Sequence, residues 1–276
     1  MYRLKNNKNI FWFEDEAMAN TGLVRHGFST RRGGVSPAPY TSLNMGLAGG
    51  DDPANVRENR DRFLRAFGIS PGEAVSLRFI HSCKVVPVTR SNSGQGFHTY
   101  KDVVAEADSM HTGDSRVALF LTFADCTPVL FLDPVHRAVG AAHAGWRGTA
   151  AGIVMEMVRE MQEAYGSNPK DLIVCVGPSI DQDHFEVGRE VFEAVSTHTV
   201  RLDRLLRPNS RGKWQFDIWQ ANVDQLLSSG VRPENITVVT QSTFLRDDLF
   251  FSHRRRLGGQ TGRMGAFIML NDKGHA

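Results

Sequence analysis

The chain has 276 residues, 41% of them hydrophobic and 22% charged, with a formal net charge of +2. Such a length and apolar share can support a buried core, expected here as one domain spanning 1–276. The near-neutral balance argues against nucleic acid as a partner, since such surfaces carry a strong basic excess, and no apolar run reaches the length of a membrane span.

In chain order, the first strand is expected at 23–29. It runs into His26-Gly-Phe-Ser-Thr-Arg31-Arg32-Gly33-Gly34, a basic segment with a Gly-Gly turn signal. Asp52-Pro53 then opens a helix, an N-cap residue followed by proline at N1. Val56, Phe63, Leu64 and Phe67 supply its apolar stripe and Gly68 ends it. A strand at 84–89 precedes the loop-like stretch 90–101. Three strands follow in close succession at 117–123, 129–133 and 138–142. A second helix is expected from near Thr149 to Gly166, with Ile153, Val154, Met157, Val158 and Met161 on one face. Strand 172–176, a helix near 188–198, a helix from Asp217 to Ser229 and strands at 236–240 and 265–269 complete the chain. Strands outnumber helices and several are consecutive, which favours α+β with mixed sheets over a doubly wound fold.

Segment 117–149 carries most of the chemistry. Strand 117–123 runs into Ala124-Asp125-Cys126-Thr127-Pro128. After strand 129–133, the turn Asp133-Pro134-Val135-His136 returns the chain along 138–142 into His143-Ala144-Gly145-Trp146-Arg147-Gly148. Two strands joined by a short turn are antiparallel, so the start of one lies beside the end of the other. Cys126 and His143 therefore meet at one end of the sheet. A soft thiolate and an imidazole converging there suit zinc, or less selectively copper. The competing explanation is a cysteine used as a small apolar filler. Cys175, inside Leu172-Ile-Val-Cys-Val, fits that use, while Cys83 lies two residues from His81. Three cysteines, with no signal-peptide core in the polar start Met1-Tyr-Arg-Leu-Lys, point to reduced thiols in the cytoplasm.

Two further clusters are basic. Arg147-Gly148 precedes the expected helix start near Thr149, where backbone N–H groups attract anions. Phe251-Ser-His-Arg-Arg-Arg256, with Thr261-Gly-Arg263 close behind, is either a solvated face or a phosphate or carboxylate site.

Together these segments resemble the bacterial laccase-domain, or polyphenol-oxidase, family. The resemblance rests on His26-Gly-Phe-Ser-Thr-Arg31 with Gly33-Gly34, Ser42-Leu43-Asn44, Val56-Arg-Glu-Asn-Arg60 and Ile80-His81-Ser82. It continues through Ala124-Asp-Cys-Thr-Pro128, His143-Ala-Gly-Trp-Arg-Gly148, Gly177-Pro-Ser-Ile180, Phe251-Ser-His-Arg-Arg255 and Thr261-Gly-Arg263. It implies a fold of two α/β halves stacked as four layers, and zinc-dependent purine nucleoside phosphorolysis with adenosine deaminase activity. The implied substrates are adenosine, inosine, guanosine, methylthioadenosine and phosphate. The implied metal ligands are His81, Cys126 and His143, three residues that leave the open position of a catalytic zinc site. Arg147, with Arg31, Asn44, Arg254 and Arg255, is the expected phosphate and substrate set, and Asp125 the expected proton-transfer or orienting group. The chain departs from the family at Phe79, where glutamine is common, at Ser242, where cysteine is common before Thr243, and at His253, often tyrosine.

Two alternatives stand beside that expectation. One is a cysteine hydrolase or amidase with Cys126 as nucleophile and His143 as base. The other is copper-dependent phenol oxidation, which a chain of ten histidines without any His-x-His pair fits poorly.

Overall fold

The computed structural model describes residues 1–196, 202–256 and 259–272. The chain begins with β1 (Tyr2–Asn7), β2 (Ile10–Asp15), α1 (Glu16–Asn20), β3 (Val24–Ser29) and α2 (Pro53–Arg65). The middle holds β4 (Ala74–Ser76), β5 (Val85–Pro87), β6 (Ser109–Thr112), β7 (Ala118–Phe123), β8 (Thr127–Asp133) and β9 (Ala138–Ala144). Then come α3 (Trp146–Ala150), α4 (Ile153–Tyr165), β10 (Ile173–Val176), β11 (Glu186–Val187) and α5 (Arg189–Ser196). The last part holds α6 (Leu202–Leu205), β12 (Leu206–Pro208), β13 (Trp214–Phe216), α7 (Ile218–Ser228), β14 (Ile236–Val238), α8 (His253–Arg256) and β15 (Met264–Leu270).

Two six-stranded sheets form the centre, in the orders β1-β2-β3-β15-β7-β4 and β14-β10-β8-β9-β6-β5. Parallel pairs β4–β7, β5–β6 and β10–β14 among antiparallel neighbours make both sheets mixed. The alternation of side chains along single strands gives the layering. On β8, Leu130 and Leu132 face the core shared with the other sheet, while Val129 and Phe131 lie with Val154 and Met157 of α4. On β15, Ala266 and Ile268 face the shared core, while Phe267 and Met269 meet Phe63 and Leu64 of α2. The expected α+β fold in four layers, α/β/β/α, is thus observed. A smaller three-stranded sheet, β11-β13-β12, shares a separate core with α5 through Val187, Val191, Val195 and Phe216.

All eight expected strands are present, with ends shifted by no more than two residues. The α2 cap is as expected: the Asp52 side chain accepts from the Ala54 N–H, with Pro53 next. The helix expected from Thr149 begins earlier, at Trp146, and is broken at Gly152, whose φ of 81° no continuing helix uses, before α4 resumes. Arg147 therefore lies inside the short α3 and not ahead of a long helix. The helix expected at 188–198 is seen as Arg189–Ser196, and positions 197 and 198 lie outside the described residues.

Candidate metal centre

The β8–β9 ladder pairs Pro128 with His143 and Thr127 with Ala144, so Cys126, one residue earlier, stands beside the end of β9. That is the convergence expected from the hairpin. His81 arrives from a loop between β4 and β5, and the three ligand atoms lie within 4.8 Å of one another. Among the described residues this is the one group of three or more His, Cys, Asp or Glu side chains suited to an ion.

Asp108, just before β6, organises the cluster. Its carboxylate accepts from His143 Nδ1 at 3.1 Å, leaving the other ring nitrogen to face the cluster. It also accepts from the backbone N–H groups of Ile80, His81 and Ser82 at 3.2, 2.9 and 2.7 Å. His81 has φ of 60°, a left-handed conformation that costs a non-glycine residue about 1–2 kcal/mol. Charge-assisted hydrogen bonds of about 1.5–3 kcal/mol each are enough to offset that. A carboxylate orienting a ligating histidine is a recurrent feature of metal sites.

Electrostatics agree with the donor set. Burial alone would push the Cys126 thiol up, but the charge and hydrogen bonds of His143 and His81 bring it down to about 6. Burial alone would pull His143 down, but Cys126 and Asp108 hold it up at about 9. Burial would likewise raise Asp108, and its bonds to His143 and Ser82 hold it below the usual carboxylate range. Gly145 makes the room: a Cβ there would lie 3.1 Å from Cys126 Sγ and 3.2 Å from His81 Cδ2. At Gly148 a Cβ would come within 2.8 Å of the Ser82 carbonyl oxygen. The two glycines of the His143–Gly148 segment thus let α3 lie against the His81 loop. A preformed thiolate, two imidazoles, a carboxylate behind one of them and a side-chain-free cradle fit a single bound ion of the zinc type.

The cluster lines a pocket of about 360 Å³ together with Arg78, Phe79, Tyr100, Phe123, His253 and Arg263. Phe79 lies against His143 with ring centroids 4.7 Å apart. A family model described as multi-copper polyphenol oxidoreductase laccase matches residues 25–271. The chain belongs to that family. Purine nucleoside phosphorylase YlmD of Bacillus subtilis (strain 168) is 38% identical over 253 residues, covering 92% of this chain and 91% of its own. A purine nucleoside phosphorylase of Bacteroides thetaiotaomicron is 32% identical over 272 residues, covering 98% and 100%. The crystal structure of YlmD from Geobacillus stearothermophilus matches with a TM-score of 0.93 at 35% identity, over 99% of this chain and 100% of that one.

Within this laccase-family chain, the other expected site residues are dispersed. Asp125 points away from the cluster: its carboxylate accepts from Thr243 Oγ1, Ser252 Oγ and the Arg254 N–H at 2.6, 3.1 and 2.6 Å. It holds the start of α8. Asn44 is buried and fastens the pocket wall, its Oδ1 accepting from the N–H groups of Gly46 and Arg263 at 3.0 and 2.9 Å. Arg147 stacks on Trp146 at 4.1 Å and does not line the pocket. Arg254 donates to the Glu186 carbonyl and lines a wider hollow with Trp146. Arg31 and Arg255 share a separate recess. Sequence reasoning missed Asp108, Arg78 and Tyr100 as parts of the site. For Arg263 the sequence offers a place in a basic cluster and in the family motif Thr261-Gly-Arg263, but no role in this pocket.

Proposed function

We propose that the chain is a zinc-dependent purine nucleoside phosphorylase acting on adenosine, inosine, guanosine and methylthioadenosine, with adenosine deaminase activity in the same pocket, and that it works in the cytoplasm. The observation that carries this is the His81–Cys126–His143 cluster in a pocket also lined by arginines and aromatic rings, in a chain related to enzymes named purine nucleoside phosphorylases. His81, Cys126 and His143 would hold the zinc ion, which when bound would supply Lewis acidity to the pocket. Asp108 keeps His143 oriented. Phe79 and Tyr100 offer apolar faces to a purine ring. Phosphorolysis joins a phosphate oxygen to the anomeric carbon as the bond to the base breaks, so phosphate must be held beside a ribose gaining positive charge. Arg263 and Arg78 line the pocket and are assigned that role in preference to Arg147, Arg31, Arg254 and Arg255.

The test is product analysis after incubation with adenosine or inosine. Ribose 1-phosphate and free base, formed only with phosphate present, are expected, and inosine should form from adenosine without it. Free ribose, or cleavage equally fast without phosphate, would make the enzyme a hydrolase.

The Cys126 thiol held down at about 6 beside His143 also favours a second reading, a thiol hydrolase or amidase. Such an enzyme works after metal removal and loses activity when Cys126 is alkylated. The cluster's two histidines suit one ion and not a multi-copper centre, so phenol oxidation is expected to be weak or absent unless copper is added.

A further inference from the structure

A second recess of about 290 Å³ is lined by Arg31, Asp247, Phe251, Ser252, Arg255 and Arg256. It shares no lining residue with the metal pocket. Three guanidinium groups therefore face one small space. Among the described residues no carboxylate lies within ion-pair distance of any of them, while other arginines of the fold, such as Arg32, Arg62 and Arg159, are paired. Asp247 is the one acidic residue in the lining, and Arg31 contacts its backbone carbonyl, not its carboxylate.

Two of the three guanidiniums are fixed in place. Arg31 donates Nε–H to the Thr41 carbonyl at 2.8 Å, and its plane lies 4.4 Å from the Phe251 ring. Arg255 donates to the carbonyls of Phe244 and Phe250 at 2.6 and 2.9 Å. Neither uses all its N–H donors in these contacts. Arg256 is exposed at the rim. Burial first, then the charges of Arg255 and Arg256 on Arg31 and of Arg256 on Arg255, pull both half-buried guanidiniums below their ordinary value. The charge of Asp247, and for Arg255 that of Asp125, offsets part of this without pairing directly, and an oxyanion between the guanidiniums offsets more of the repulsion while accepting their free N–H groups.

We propose that this recess is a second oxyanion site that takes a phosphoryl group, from free phosphate or from a phosphorylated nucleoside, at a place distinct from the metal pocket. Its connection to the metal cluster is short. Ser252 Oγ accepts from the Arg255 N–H and donates to Asp125, which precedes Cys126, and His253 of the same helix lines the metal pocket. An occupant that draws on Arg255 and Arg256 therefore acts on the element that walls both sites.

Binding is read directly, without nucleoside turnover, so the result stands apart from the phosphorylase proposal. Calorimetry on the zinc-loaded full chain with inorganic phosphate and with adenosine monophosphate is compared among the wild type, Arg256→Glu and Arg263→Gln. The Arg256 side chain is exposed and makes no hydrogen bond among the described residues, and its carbonyl bond to the Gly259 N–H does not depend on the side chain, so Arg256→Glu is expected to fold with unchanged zinc content. An anion-binding event weakened about tenfold or more in Arg256→Glu and kept in Arg263→Gln supports the site. Equal affinity for the two ligands then identifies free phosphate, and tighter monophosphate binding identifies a phosphorylated nucleoside. Binding unchanged in Arg256→Glu, or lost in Arg263→Gln alone, overturns it.

Discussion

Two buried histidines, one in each large sheet, differ in what surrounds them. His26 on β3 and His143 on β9 are 1% and 5% exposed. His26 meets a single neutral partner, its Nε2 accepting the Asp15 N–H at 2.9 Å, and burial pushes it down to about 4. His143 is subject to the same burial, yet Cys126 and Asp108 hold it up at about 9. Burial alone makes a histidine a neutral acceptor within the fold. Opposed charges gathered against burial mark a place built for chemistry. Each prediction below removes one part of that contrast.

The largest effect is expected from the thiolate. Cys126→Ser takes away the soft ligand and the main support of His143, so zinc per chain should fall to near zero by elemental analysis, a loss well beyond tenfold in affinity. Unchanged occupancy would remove Cys126 from the metal site. Asp108→Asn comes next. It keeps the shape but weakens the hold on His143 and on the 80–82 loop, and about a 10- to 100-fold loss of zinc affinity is expected in a competition titration. Affinity equal to wild type would mean that Asp108 is only a structural brace for the loop.

How much of this was legible in the sequence follows from where each residue lies. Cys126 and His143 were found because a short turn joins their strands, and antiparallel pairing carries the positions across. His81 was available only through the family resemblance, because a loop residue with φ of 60° follows no periodic pattern. Asp108 gave no signal: a lone aspartate before a four-residue strand of Ser, Met, His and Thr looks like loop. The eight strands identified from sequence were mostly apolar, whereas β1 has five of its six residues exposed and β11 to β13 are two or three residues long. Strands buried on both faces also lose the alternation that marks a half-buried strand, so β8 and β15 could be located but not layered. The arginines were the least legible. Their positions were in view, but which recess each faces depends on the folding of α8 and the 261–263 turn.

The pocket's arginines give the third prediction. His143 shares its pocket with Arg263, and the phosphorolysis proposed for that pocket requires an anion clamp there. Arg263→Lys should slow phosphorolysis by more than tenfold, on the order of 2 kcal/mol, because a lysine cannot reproduce a two-point guanidinium contact. Arg147→Lys should change the rate little, since Arg147 stacks on Trp146 outside the pocket. The reverse pattern in steady-state kinetics with inosine and phosphate would return the clamp to α3.

The smallest effect tests the other histidine. The folded-state value of His26, about 4, lies below its ordinary 6.5, so the unfolded chain takes up the proton first. The stability that neutral His26 contributes is therefore complete above about pH 6.5. It declines as the pH falls below that and levels off below about pH 4. Between about pH 7 and about pH 5.5 the loss is on the order of 1 kcal/mol. Metal binding also weakens with acid, through His81, Cys126 and His143, so raw stability would mix the two histidines. The comparison must be between wild type and His26→Gln, both zinc-free, by urea unfolding at the two pH values. Glutamine keeps an acceptor for the Asp15 N–H and cannot titrate, so its unfolding midpoint should move less with pH than the wild type's, even if it is lower throughout. Parallel pH dependence in the two proteins would show that His26 is not the buried neutral group its surroundings imply, and the contrast with His143 would then rest on the metal pocket alone.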